Sequence, residues 1–159
     1  MVSVRDEPGV EVHLDDVSRQ IIEQFQQDGR RSYAAIAKLV GLSEAAVRQR
    51  VQKLLDAGVM QIVAVTDPLR LGFQRQAMIG LKAEGDLAQV AEQLAAVPEV
   101  DDVVVCAGPF DLLVELVCAD DEELFRLIND RVRTIPGVRA TESFVYLRLV
   151  KQTYTWGAR

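Results

Sequence analysis

The chain has 159 residues and a formal net charge of −6, and its 49% hydrophobic content leaves ample material for a core, which excludes a disordered or fibrous chain. That length suits one medium domain or two small ones. No apolar run is long enough to span a membrane, the opening residues Met1–Pro8 show no signal-peptide pattern, and Cys106 and Cys118 lack CxxC spacing and read as buried reduced thiols, so the expected setting is the cytoplasm.

Divided along the chain, the acidity is uneven. Residues 1–66 carry 8 basic and 9 acidic side chains, whereas residues 67–159 carry 10 and 15. Within the first part, residues 28–54 hold Arg30, Arg31, Lys38, Arg48, Arg50 and Lys53 against only Asp28 and Glu44. Salt screens exposed charges beyond about 8–10 Å, so this local excess governs phosphate contact whatever the total.

In chain order, residues 1–12 form a polar, Pro/Gly-punctuated tail. Asp15 or Asp16 then caps a helix whose stripe is Leu14, Val17, Ile21, Ile22 and Phe25, ending at Asp28-Gly29. Ser32 caps a second helix with the apolar face Tyr33, Ile36, Ala37, Leu39 and Val40, closed by Gly41. After Leu42 alone, Ser43 caps a third helix that turns Val47, Val51, Leu54 and Leu55 inward and stops at Ala57-Gly58. Residues 60–66 are β-branched and predict a strand, and Asp67-Pro68 breaks it.

The second half contains a repeat. Val97-Pro98-Glu99-Val100 resembles Ile135-Pro136-Gly137-Val138 at an offset of 38 residues. Each copy reads as strand, helix, Pro stop and strand: 76–82, 86–96 and 102–107, then 112–118, 120–134 and 140–150. Two β-α-β units in tandem predict a ferredoxin-like βαββαβ sandwich with helices on one sheet face. Strand 103–106 is apolar at every position, so the bare face calls for a partner sheet. The fold class is α+β: a (winged) helix-turn-helix domain at 13–60, a strand and hinge linker at 61–74, and a ferredoxin-like effector-binding and oligomerisation domain at 75–159.

The functional signal is densest between Ser32 and Leu55. A helix-turn-helix needs a small residue where its helices cross, a Gly in the turn and buried positions in the second helix, and Ala37, Gly41, Leu42 and Val47 supply them. Projection of the third helix places Ala45, Arg48, Gln49, Gln52 and Lys53 opposite the buried stripe, with Arg50 on a flank. Arg and Gln suit base edges and Lys suits phosphates. Candidate DNA contacts are therefore Arg30, Arg31, Ser32, Ser43, Glu44, Ala45, Arg48, Gln49, Arg50, Gln52 and Lys53. No catalytic or metal constellation accompanies them. His13 is the single histidine, Asp120–Glu123 reads as charge at a helix start, and no phosphate-cradling Gly loop or nucleophile elbow occurs.

Leu14-Asp15 leading to Asp28-Gly29-Arg30, Val40-Gly41-Leu42-Ser43, Arg50-Val51 to Gly58-Val59-Met60, Pro136-Gly137-Val138 and Val150-Lys151-Gln152 together resemble the Lrp/AsnC (leucine-responsive, feast-famine) regulators. The resemblance covers about Leu14 to Thr153. It implies transcriptional regulation on double-stranded DNA, a RAM-type C-terminal domain, dimers that assemble further, commonly to octamers, and a small-molecule effector between dimers, often an amino acid. It also implies an effector pocket lined by a Gly-x-x-Asp turn, here Gly108-Pro109-Phe110-Asp111, with Thr141 and Ser143 contributing hydroxyls. A turn offers N–H groups to a carboxylate, and Asp111 suits an ammonium group. Pro109 removes one of those donors. Two rival readings stand beside this one: a nucleoid-organising DNA-binding protein with little ligand response, and a metabolite-binding or enzymatic ferredoxin-like protein.

Overall fold

The structure, a computed structural model, describes residues 14–153. The tail, His13, Tyr154 and Trp156 lie outside the described residues. The chain divides into two compact units, a helical one reaching Ala64 and a second spanning Val65–Val150.

The helical unit has α1 (Asp16–Gln27), α2 (Tyr33–Val40) and α3 (Glu44–Asp56). Each begins where a short polar side chain satisfies an orphan amide: Asp15 accepts the Ser18 N–H at 2.8 Å, Ser32 that of Ala35 at 3.2 Å and Ser43 that of Ala46 at 3.2 Å. Gly41 ends α2 at φ 70°, a left-handed conformation that costs a glycine little. Ile21, Ile36, Val47 and Val51 are fully buried between the three helices, each stabilising the unit by about 1.5–3 kcal/mol. Leu39, expected on the apolar face of α2, is instead 62% exposed. Eight residues make barely two turns, and Ile36 and Ala37 already fill the contact side.

Residues 60–66 do not form the expected strand, and the helix-turn-helix has no wing among the described residues. A strand is a paired state. Among the described residues no strand pairs with them, and Ile62, Val63 and Val65 are left exposed. Asp67 then caps a short 3-10 turn, Pro68–Leu71, by accepting the Leu69 N–H at 3.1 Å.

The second unit runs β1 (Arg75–Ala83), α4 (Leu87–Ala95), β2 (Val100–Val105), β3 (Leu112–Cys118), α5 (Asp121–Arg126) continuing as a π-helical turn (Leu127–Val132), and β4 (Val138–Val145). The sheet is antiparallel in the order β2-β3-β1-β4, the ferredoxin-like arrangement. Alternation divides its faces. Ala77, Ile79, Leu81, Leu112, Val114 and Leu116 meet Val90, Leu94 and Val132 in the core. Gln76, Met78, Gly80, Lys82, Leu113, Glu115 and Val117 project from the opposite, open face. The register carries Val104 and Phe144 to that face also. The predicted last strand, 140–150, stops at Val145, opposite Ala77; one further bond, from the Tyr146 N–H to the Gln76 carbonyl at 2.9 Å, follows before the pairing with β1 ends. The predicted helix 120–134 likewise changes to a π-helical turn after Arg126.

Candidate nucleic-acid interface and effector turn

Helix α3 buries Val47, Val51 and Leu54, so the positions between them must face outward. Glu44, Ala45, Arg48, Gln49, Gln52 and Lys53 are all exposed there. They differ in what already holds them. The Arg48 Nη2 donates to Glu44 Oε1 at 2.9 Å, and its guanidinium carbon stands 5.0 Å from the Tyr33 ring centre. Gln52 donates to Asp56 at 2.7 Å. Among the described residues, the Gln49 and Lys53 side chains have no partner and are free to engage a ligand.

Arg50 stands apart from this group. Its Nη1 donates to Asp15 Oδ2 at 2.6 Å and to the Ser18 hydroxyl at 3.2 Å, so the half-buried guanidinium ties α3 to the start of α1. Hydrogen bonds from the Ser18 side chain and backbone, with Arg50 adding to them, hold the Asp15 carboxyl well below the usual carboxylate range. Arg31 is likewise turned onto α1, donating to Gln24 and Gln27, while Arg30 is almost fully exposed beside Asp28. The hydroxyls of Ser32 and Ser43 accept their cap bonds and keep a proton to donate.

The turn at 108–111 closes the β2–β3 hairpin. The Asp111 N–H donates to the Leu81 carbonyl at 2.9 Å, and its Oδ2 accepts the Ala83 N–H at 3.0 Å. The Lys82 ammonium lies 3.8 Å from Oδ1. Asp111 therefore braces the end of β1, and one of its carboxylate oxygens is spoken for. Phe110 folds over the open face, edge-on to Phe144 with ring centres 6.0 Å apart. It occupies the space above Gly80, where a Cβ would meet three of its ring carbons at 2.8 Å.

Thr141 and Ser143 do not join this group. They pair with Leu81 and Ile79 and so share the helix-facing side of the sheet, where Thr141 accepts from Arg133 Nε at 2.9 Å. Gly108–Asp111 and the two hydroxyls are thus separated by the sheet within one chain. A shallow groove of about 240 Å³ on the helical side, near Glu99 and Arg131, contains none of these residues. No group of His, Cys, Asp and Glu among the described residues could hold a metal ion. Sequence reasoning missed two contributors. Tyr33 supports Arg48 as well as packing inward, and Asp15 clamps Arg50 across a separation of 35 residues for which no local pattern exists.

Residues 14–55 match the AsnC-type helix-turn-helix domain, and residues 73–159 match a C-terminal dimeric alpha+beta barrel domain of the AsnC regulators. The chain belongs to the AsnC/Lrp family of transcriptional regulators. The HTH-type transcriptional regulator FL11 of Pyrococcus horikoshii is 34% identical over 144 residues, 89% of this chain and 95% of that protein. The leucine response regulatory protein LrpA of Mycobacterium tuberculosis superposes with a TM-score of 0.79 at 29% identity, over 87% of this chain and 96% of that one. A transcriptional regulator of Neisseria meningitidis, solved as a complex with L-Met, shares the fold with a TM-score of 0.78 at 24% identity, over 88% of this chain and 94% of that one. This AsnC/Lrp protein is accordingly a DNA-binding transcriptional regulator rather than an enzyme, of a family whose C-terminal domain is dimeric.

Proposed function

We propose that this AsnC/Lrp regulator reads a specific double-stranded operator as a dimer, placing the exposed side of α3 in successive major grooves. The observation that carries the proposal is the row Glu44, Ala45, Arg48, Gln49, Gln52 and Lys53, exposed directly opposite the buried Val47, Val51 and Leu54. Arg30, Ser32 and Ser43 add donors suited to the phosphate backbone, whereas Arg31 and Arg50 act chiefly by holding the helices together. The cytoplasm is the setting in which such a protein meets its DNA.

The regulator is further proposed to answer a small metabolite, an amino acid by preference, in an assembly of dimers that reaches an octamer. The Neisseria relative's L-Met complex and the Gly108–Asp111 turn support this. Because Thr141 and Ser143 lie on the other side of the sheet from that turn, a pocket using both sets has to draw them from different subunits. A calorimetric screen of the amino acids against the full chain tests the response, and binding by none of them would remove it. The engaged state of Asp111 favours a second reading, a nucleoid-organising protein with little ligand response. Comparable affinity for random and selected DNA at physiological salt would decide for that reading.

A further inference from the structure

We infer that Arg48 and Glu44 read one G·C base pair together, with Tyr33 as the positioning residue that holds the Arg48 guanidinium toward the groove. This rests on α3 being the DNA-reading helix.

An exposed arginine ordinarily samples many rotamers, and fixing it on a ligand costs entropy. Arg48, 64% exposed, is held on two sides. Glu44, one helical turn earlier, accepts from Nη2 at 2.9 Å, in the favourable order of acid before base at i and i+4. The Tyr33 ring lies under the guanidinium at 5.0 Å. That ring is itself steadied by Phe25, edge-on at 6.2 Å and 83°, and both aromatics pack against the helical core. The support of Arg48 thus runs from the core through two rings.

What the pair presents is a donor beside an acceptor. The guanidinium has four N–H groups left after one bond to Glu44, and the carboxylate keeps a free oxygen. The major-groove edge of a G·C pair offers the complement: the O6 and N7 acceptors of guanine beside the N4 donor of cytosine. Thymine places an O4 acceptor where cytosine has its donor, so Glu44 repels an A·T pair at that position. The carboxylate equally disfavours a phosphate beside Arg48. That separates Arg48 from Lys53, with which no carboxylate is paired among the described residues and which suits the backbone.

Selection of binding sites from a random duplex library by the full chain tests this. The wild type is expected to enrich a motif with a fixed G·C pair. Arg48→Ala should lose the preference at that pair by roughly 10- to 100-fold and leave the other positions alone. Glu44→Gln should admit A·T there. Tyr33→Leu should weaken discrimination at the same pair about two- to fivefold, with non-specific affinity unchanged, and Tyr33→Phe should restore it. An intact wild-type motif in which no single position responds to Arg48→Ala or Glu44→Gln would overturn this inference alone. Equal weakening at all positions by Tyr33→Leu, tracking a lower melting temperature, would make Tyr33 a packing residue and overturn its role. If the wild type enriches no motif, sequence-specific reading by α3 falls and this inference with it, in favour of the nucleoid-organising reading.

Discussion

Gly80 sits mid-strand in β1 under the Phe110 ring, and its replacement by alanine should change sign with the residue above it. A Cβ there would stand 2.8 Å from three ring carbons, against an optimal separation of about 3.5–4.0 Å, so the ring must retreat by roughly 1 Å. Retreat also loosens the edge-on contact with Phe144, which is worth about 0.5–1.5 kcal/mol. Overpacking of this kind costs about 1–3 kcal/mol. Against it, alanine in a strand gains about 0.5–1 kcal/mol over glycine. Gly80→Ala should therefore destabilise the protein by about 1–2 kcal/mol. In a Phe110→Ala background the clash is gone, and the same substitution should stabilise by about 0.5–1 kcal/mol. Urea unfolding of the four proteins at one fixed concentration gives the cycle, the concentration being held because subunit association adds to apparent stability. Equal cost of Gly80→Ala in both backgrounds would show that Phe110 is not what keeps residue 80 small.

Asp111→Ala should lower folding stability by about 1 kcal/mol or more without any ligand, because it orphans the Ala83 amide; an unchanged urea midpoint would contradict that brace. Burial pushes the Cys118 thiol up to about 11, so at pH 8 iodoacetamide should label the half-buried Cys106 well before Cys118, as read by mass spectrometry, and reducing agent should leave the melting temperature unchanged since both cysteines are free. The Asp15 carboxyl is depressed in the folded state, so its contribution is present above its unfolded value of about 4 and is lost as pH falls through the lower folded value. Acid unfolding of Asp15→Asn below about pH 4 should accordingly be less pH-dependent than that of the wild type; identical acid profiles would show the Ser18 and Arg50 bonds to be inconsequential.

The helical unit was legible because its signals are local. The caps at Asp15, Ser32 and Ser43 and the turn at Gly41 are written within a few residues of the amides and carbonyls they satisfy. The βαββαβ order was legible from the repeat around Pro98 and Pro136. What sequence could not supply is pairing at a distance. Residues 60–66 have strand composition but no partner strand among the described residues, and the final strand stops at Val145 although β1 continues to Arg75. Which face Thr141 and Ser143 occupy depends on a register in which a slip of one residue would reverse both. Arg50 looks like its neighbours on α3 until folding brings Asp15 to its guanidinium.

Whether the exposed side of α3 reads DNA is decided most directly by the salt dependence of DNA affinity. The full chain and its Gln49→Ala and Lys53→Ala variants would be titrated with selected and random duplexes from 50 to 300 mM salt, roughly the span over which phosphate contacts lose most of their affinity. Gln49→Ala should cost about 1–3 kcal/mol on the selected duplex and almost nothing on random DNA. Lys53→Ala should weaken both duplexes alike and reduce the salt slope by about 1. Wild-type affinities and slopes in both variants would place the DNA-binding surface elsewhere.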